Sequence, residues 1–410
     1  MQFFYSFSIH FYAFCIKLFS IFSYKAKLWY TGRKNIFLFL NEKCAEKENV
    51  IWFHCASLGE FEQGKPLMKK IKQQEKNSTL LVTFFSPSGY EIKKNDAIID
   101  IVAYLPPDTR KNAKKFVQIV KPKKVFFVKY EFWFNYIQEL AKANIPFYYV
   151  SAIFRENQYF FTNYGKWFLK QLNKCSFFFV QNENSKIVLE KHGINQVKVT
   201  GDTRFDRVYS IAHQDYTLDF ITAFKKDKRL IVAGSTWMPD EKLLSKLFSK
   251  INSTYKLVIA PHVVEKNHIT QIKNIFHSFS TVCFSEIETK NMADYEILII
   301  DTIGLLSRIY KYADVSYIGG AFDTGLHNIL EAAVFEKPVF FGPNFQKFNE
   351  AVELVARSGA FSVKNAHQMI RIISCFENTP QFYRNTCEIC KDYVAQNLGA
   401  TDKIISELYF

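Results

Sequence analysis

Three acidic side chains stand just after apolar runs in the first third of the chain: Glu60 in Ala-Ser-Leu-Gly-Glu, Glu91 in Ser-Pro-Ser-Gly-Tyr-Glu, and Glu131 in Lys-Tyr-Glu-Phe-Trp. A carboxylate at the mouth of a pocket serves as general base toward a hydroxyl when burial or a neighbouring acid raises its pKa. Each is equally explained alone as a first-turn helix acid that suits the helix dipole. Three at successive run ends predict a shared acidic pocket. Glu62 points away from Glu60 by helical spacing and reads as a first-turn acid only.

The second half has a different vocabulary. Ala233-Gly-Ser-Thr-Trp237 leads into Pro239-Asp-Glu241, so small residues and hydroxyls precede a helix start, where backbone N–H groups hold phosphates. Pro261-His262 follows another apolar run, and a lone His there is either a satisfied structural group or a ligand contact. Further on come Asp301-Thr-Ile-Gly304 and Gly319-Gly320-Ala-Phe-Asp-Thr-Gly325-Leu-His-Asn328-Ile-Leu-Glu331. Glycines admit close backbone approach to a ligand. Asn328 with Glu331 reads either as a helix cap or as a pair that reaches a sugar hydroxyl.

These residues need a frame, and the hydrophobic pattern supplies one. Short apolar runs at 50–54, 79–84, 99–105, 124–129, 147–151, 177–180 and 197–200 alternate with longer mixed segments, and the pattern restarts at 229–233, 256–260, 281–284, 297–301, 315–319 and 338–341. Near-continuous apolar strands between helical segments predict parallel sheets covered on both faces. Two Rossmann-like halves facing a central cleft follow, with 25–205 as the first domain, 206–228 as a charged linker, 229–410 as the second domain, and the last helix packing back on the first. Ligands of such folds bind at the carboxyl ends of strands, where the residues above fall.

Composition narrows the chemistry. The chain has 410 residues and a formal net charge of +14, which calls for anionic partners. No zinc-finger spacing or RNA-binding signature is present, so nucleic acid is not expected. Eight cysteines at irregular positions suit a reducing compartment, and Cys387-Glu-Ile-Cys390 lacks a second metal-ligating pair. Neither a clustered metal site nor a Gly-x-Ser-x-Gly nucleophile elbow appears. Residues 1–24 are rich in Phe, Tyr and Ile with Lys17 as the sole formal charge, followed by Lys25, Lys27, Arg33 and Lys34. That is a membrane-associating helix too short to span, with the body expected on the cytoplasmic side.

The motifs together resemble one family, the bacterial 3-deoxy-D-manno-octulosonic acid (Kdo) transferases of lipopolysaccharide synthesis. The matching pieces are ASLGEFEQG (56–64), FFSPSGYE (84–91), YLPPDT (104–109), KYEFW (129–133), SAIFR (151–155), GDTRFDRV (201–208), AGSTW (233–237), APH (260–262), DTIG (301–304) and GLHNILEAA (325–333). The resemblance implies an α/β GT-B fold, CMP-Kdo as donor, a tetra-acylated lipid A precursor as acceptor, and an inverting displacement without metal or other cofactor. It implies Glu60 as the base and Glu131 as a second essential acid. It places Ser235, Thr236, Pro261, His262, Gly304, Gly319, Gly320, Asn328 and Glu331 around the donor. Acceptor-side candidates are Ser57, Gly59, Ser86, Ser88, Gly89 and Arg155. The family also carries an amino-terminal membrane-associating helix, which implies a location at the cytoplasmic face of the inner membrane. The chain departs from the usual family pattern at Ala260, Leu305 and Leu326. A GT-B-fold sugar-nucleotide epimerase, another membrane-associated glycosyltransferase and a non-enzymatic membrane scaffold are the competing readings.

Overall fold

The computed structural model describes residues 2–289, 291–323 and 325–409. Contacts divide it into two compact units, Met1–Arg207 with Leu398–Phe410, and Val208–Asn397.

The first unit is built on a seven-stranded parallel sheet of β1 (Val50–Cys55), β2 (Thr79–Phe84), β3 (Ile101–Tyr104), β4 (Lys124–Val128), β5 (Phe147–Ala152), β6 (Phe177–Val180) and β7 (Val197–Val199), in the order β3-β2-β1-β4-β5-β6-β7. Every residue of β1 is buried, as a strand covered on both faces requires. Alternate residues feed two cores. Trp52, Leu81, Val125 and Tyr149 pack on one side of the sheet, and Ile51, Phe53, Val82 and Phe126 on the other.

Helices close both faces. In Arg110–Val120 the buried residues Ala113, Phe116, Val117 and Val120 recur at helical spacing, and the Thr109 side chain caps the start by accepting from the Asn112 N–H at 3.2 Å. The closing helix Ala400–Tyr409 belongs to this unit: Ile404 and Ile405 join the core of Phe61, Leu67 and Ile71. Asp206 fixes its start by accepting from the backbone N–H groups of Gly399 and Thr401, both at 2.7 Å.

The second unit repeats the plan with β8 (Arg229–Thr236), β9 (Tyr255–Pro261), β10 (Thr281–Cys283), β11 (Ile297–Ile299), β12 (Val315–Ile318), β13 (Val339–Phe341) and β14 (Ala360–Ser362), ordered β10-β11-β9-β8-β12-β13-β14. All pairings are parallel. Strand β14 has no counterpart among the expected runs, because three residues are too few to show a period. The stretch read as a linker is folded: it holds most of the helix Thr203–Ala212 and the helix Asp219–Lys225, whose Ile221 and Phe224 are buried. Cys387 and Cys390 lie inside the helix Pro380–Gln396 as free thiols.

The amino-terminal segment forms the helix Gln2–Phe19. Tyr5 is its fixed point, with its hydroxyl on Asp108 and its ring against Phe134, Trp167 and Phe168. Tyr12 makes a second contact, with Trp29 and Phe85. Phe3, Phe4, Phe7, Phe11 and Phe14 stay exposed, at 55–77%. Among the described residues no helix is long and apolar enough to cross a membrane.

Candidate active site

Each sheet reverses its winding once, and a ligand crevice of this fold opens at the carboxyl ends of the two strands that flank the reversal. In the first unit these strands are β1 and β4. Glu60 and Glu131 stand just beyond them, and each takes its place for a local reason.

Glu60 lies in the first turn of the helix Leu58–Gln74. Its Oε2 turns back to accept the backbone N–H groups of Ala56 and, at 3.1 Å, Ser57. Those bonds and Lys129 favour the charged form, while burial and the charge of Glu131 oppose it more strongly. The balance raises the carboxyl from 4.5 to about 8. A group with that midpoint suits a general base at neutral to mildly alkaline pH.

Glu131 follows the exit of β4, where Lys129 sits in the left-handed region at φ 68°, an unusual conformation for a side-chain-bearing residue. The Glu131 Oε2 accepts from Trp133 Nε1 at 2.8 Å and lies 3.1 Å from His54 Nε2. Its side chain is 10% exposed. The third acid does not join this pair. Glu91 accepts from the Tyr104 hydroxyl at 3.3 Å and from Lys94 at 3.0 Å, which holds it beside β3. The expected three-acid pocket is thus a two-acid pocket.

Glu62 is bound by Lys93 at 2.8 Å and Arg207 at 2.7 Å. Burial alone would raise it, but these cations outweigh burial and hold the carboxyl below the usual range. It is a structural ion-pair residue.

The acceptor-side candidates divide. Ser57 caps the Glu60 helix, and Gly59 is exposed in its first turn. Ser86 caps the helix Pro87–Lys93, and its hydroxyl lies 2.9 Å from that of exposed Ser88. The Ser86 N–H donates to the Ala56 carbonyl at 2.8 Å, tying this loop to the Glu60 turn. Gly89 is needed for packing, since a Cβ there would stand 2.2 Å from the Phe84 ring. Arg155 is exposed after β5, and its guanidinium pulls down the Tyr130 phenol, which burial raises overall.

In the second unit the reversal lies between β8 and β12. Here the backbones themselves converge: a Cβ on Gly319 would lie 2.3 Å from the Ser235 carbonyl oxygen. Ser235 holds φ 53° and Gly320 φ 93°. Asp240 braces the loop, accepting from the N–H groups of Trp237 at 2.9 Å and Gly320 at 3.0 Å and from the Tyr317 hydroxyl at 2.8 Å. Thr236 is turned inward, donating to Glu241 at 3.0 Å. Thr236 therefore supports the loop from behind.

Beside these strand ends three rings stack. His262 lies 4.9 Å from Trp237 and 4.4 Å from His327, centroid to centroid. Burial lowers both imidazoles, and proximity to His262 helps bring His327 to about 4. The stack is uncharged at neutral pH and offers flat rings with N–H groups. Pro261 ends β9 beneath it. Gly304, at φ 100°, has open space around its Cβ position. Asn328 accepts from the Leu330 N–H at 3.2 Å and donates to Glu331 at 3.3 Å, where the short helix Leu330–Ala333 begins.

From sequence no role is assigned to His54, or to Trp133, Trp237, Asp240 and His327, which lie within the quoted motifs. His54 carried a usable signal, being a polar residue inside a fully buried strand. Among the described residues no cluster of three or more His, Cys, Asp or Glu side chains could hold a metal ion.

Comparison with known proteins then bears on this geometry. The profile of the family described as 3-deoxy-D-manno-octulosonic-acid transferase (kdotransferase) matches residues 32–207. A bifunctional glycosyltransferase/methyltransferase of Fusobacterium nucleatum is 28% identical over 347 residues, 81% of this chain and 53% of that protein, so the chain spans about half of that relative's length. A 3-deoxy-D-manno-octulosonic acid transferase of Aquifex aeolicus is 28% identical over 338 residues, 81% of this chain and 87% of that protein. Among solved structures, the UDP-GlcNAc 2-epimerase of Neisseria meningitidis bound to UDP-GlcNAc superposes with a TM-score of 0.62 at 16% identity, covering 88% of this chain and 99% of its own. At that identity the likeness concerns the α/β GT-B-like fold alone. By sequence, the chain is similar to the Kdo transferases, a family of glycosyltransferases, through residues 32–207 in the family profile and through most of its length in the Aquifex aeolicus relative.

Proposed function

We propose that the protein transfers Kdo from CMP-Kdo to the glucosamine disaccharide of a tetra-acylated lipid A precursor, by an inverting displacement with Glu60 as general base and no metal or other cofactor. The acceptor hydroxyl oxygen attacks the anomeric carbon of Kdo, the bond from that carbon to the phosphate oxygen breaks, and CMP leaves with the electron pair. Glu60 takes the hydroxyl proton. The observation that carries this reading is the Glu60 carboxyl held near 8 by burial and Glu131 at the reversal of the first sheet.

CMP-Kdo is assigned to the second unit. The glycine approach of Gly319 and Gly320, the Ser235 turn and the His262 ring stack supply backbone N–H groups and flat surfaces suited to a phosphate and a base. Glu131 keeps its role as a second acid beside the acceptor. The exposed phenylalanines of the helix Gln2–Phe19 support docking at the cytoplasmic face of the inner membrane, where a lipid acceptor is presented.

The test is CMP release and lipid mass with CMP-Kdo and the tetra-acylated precursor. The parent is expected to add Kdo, and Glu60→Gln to lose about a thousandfold in rate, within the range for removal of a general base. A parental rate in Glu60→Gln would remove Glu60 from the mechanism. A parent that released no CMP would sink the reading as a whole.

A further inference from the structure

Behind Glu131 runs a chain of buried polar atoms that the displacement itself does not use. Trp52 Nε1 donates to Thr83 Oγ1 at 2.7 Å. His54 Nδ1 lies 2.9 Å from that same hydroxyl and 3.1 Å from the Thr83 carbonyl oxygen. His54 Nε2 is 3.1 Å from Glu131 Oε2, which also accepts from Trp133 Nε1 at 2.8 Å. Trp52, His54 and Thr83 are completely buried, so solvent supplies none of their partners.

For a neutral imidazole two placements of the protons are open, and they differ in what they ask of Glu131. In the first, the Thr83 hydroxyl accepts from Trp52 and donates to His54 Nδ1, and the Nε2–H of His54 donates to Glu131. Every donor then meets an acceptor and no additional proton is needed. In the second, Nδ1–H donates to Thr83, and the Nε2 lone pair faces a carboxylate oxygen, a contact that closes only if a proton is added. The Thr83 hydroxyl is then left with the Phe53 carbonyl at 3.5 Å, the outer limit of a hydrogen bond. The first placement gains a well-made bond in a site where an unmade one is costly.

We infer that Thr83 is a positioning residue: its hydroxyl fixes the Nε2–H tautomer of His54, and through it presents Glu131 as an acceptor-only neighbour of Glu60. The inference rests on the reading of Glu60 as base. It matters to that base because the charge of Glu131 is, after burial, the largest cause that raises the Glu60 carboxyl.

The groups facing this pair come from several elements. Lys129 follows β4 and lowers Glu60, and the Tyr149 hydroxyl on β5 donates to the Glu131 carbonyl at 3.2 Å. Burial pushes the Cys55 thiol and the Tyr149 phenol well up, so both stay neutral. Glu62 is paired with Lys93 and Arg207, and Tyr130 lies against Arg155.

Thr83→Val removes the hydroxyl at nearly constant volume. His54 Nδ1 then keeps only the carbonyl as a partner, the imidazole changes tautomer, and Glu131 takes up the proton that closes the contact. Imidazole 15N spectra of the histidine-labelled full chain read this directly, with the signals of one among nine histidines assigned by their loss in His54→Gln. The parent and Thr83→Ser should show protonated Nε2 and bare Nδ1; Thr83→Val should show the reverse.

In transfer assays Thr83→Val should lower kcat on the order of tenfold, as when a supporting hydrogen bond behind a functional side chain is lost. The acidic limb of its kcat/KM profile should move to lower pH by about one unit, and Thr83→Ser should restore both. A parent with protonated Nδ1, or a Thr83→Val protein that keeps the parental tautomer and acidic limb, overturns the inference. If Thr83→Val does not fold, the parental tautomer and the Thr83→Ser profile still decide. If the parent transfers no Kdo, the reading of Glu60 falls while the tautomer measurement stands on its own.

Discussion

The two sheets reverse their winding in equivalent places, yet the crevices there are furnished differently. At β1 and β4 the chain places two carboxyl groups, one raised to about 8. At β8 and β12 it places glycines and neutral rings, and two of the acids nearby are taken up internally: Asp240 by Tyr317 and two backbone N–H groups, Glu241 by Thr236 and His268. The same topology therefore carries a pair of carboxyl groups in one unit and a close backbone approach in the other. What decides between them is the handful of residues that follow each strand.

The largest effect expected from this contrast concerns glycine. At Gly319 a Cβ would meet the Ser235 carbonyl oxygen at 2.3 Å and Thr236 Cα at 2.6 Å, both backbone atoms that no rotamer change can move. Gly319→Ala should cost about 3 kcal/mol, the upper range for overpacking, and should abolish the rise in Tm expected when CMP is added to the parent. In the first unit, a Cβ on Gly59 meets only Ser57 Oγ at 3.9 Å. Gly59→Ala should leave stability unchanged or raise it by about 0.5 kcal/mol, since alanine is the better helix residue. If both variants unfold at the same urea midpoint, the contrast between the two crevices is wrong. If Gly59→Ala is stable but transfers slowly, the glycine serves the approaching sugar.

A second effect separates catalysis from stability at Glu60. The folded protein holds the carboxyl proton up to about 8, whereas the ordinary value is 4.5. Between these values the folded state binds a proton that the unfolded chain has released, so this group's stabilising contribution is fully present below 4.5 and is lost as pH rises through 8. Glu60→Gln keeps an oxygen for the Ala56 and Ser57 N–H groups and sheds the charge. It should be close to the parent in Tm at pH 5 and more stable at pH 9 by on the order of 1–2 kcal/mol. A variant less stable than the parent at pH 9 would mean that the charged form is welcome in this pocket.

How far the sequence carried this contrast depends on the kind of residue. The strands were legible because parallel strands buried on both faces read as unbroken apolar runs, as in Val50–Cys55. Glu60 and Glu131 were legible because strand ends point to ligand crevices and a carboxyl there is conspicuous. Glu91 looked alike in sequence and went elsewhere, since its neighbours Tyr104 and Lys94 are set by tertiary packing. Gly89 was read as an acceptor-side residue, yet the contact that requires a glycine is with Phe84, five residues earlier and on the preceding strand. The ring stack of Trp237, His262 and His327 joins three separate strand-end segments, and no local pattern announces such a meeting. Folded helices in 206–228 were missed because charged residues obscure the few buried apolar positions such as Ile221 and Phe224.

The smallest expected effect is a flat line, and it sets the two crevices against each other in one experiment. His327 titrates near 4, and burial lowers His262 from 6.5, so neither ring gains or loses a proton between pH 7 and 9. The phosphate of free CMP, with a second pKa near 6, is also fully ionised there. The Kd for CMP should thus stay within about twofold across that range, while kcat/KM for transfer rises about tenfold as Glu60 loses its proton around 8. Calorimetric titration and initial rates at pH 7, 8 and 9 measure the two quantities side by side. If the Kd instead weakened tenfold in step with alkaline pH, a protonated group would be holding the donor phosphate, and the uncharged ring stack would lose its place in the donor site. If kcat/KM stayed flat while the Kd did, the base would titrate outside this range, and Glu60 with its raised carboxyl would be the wrong group.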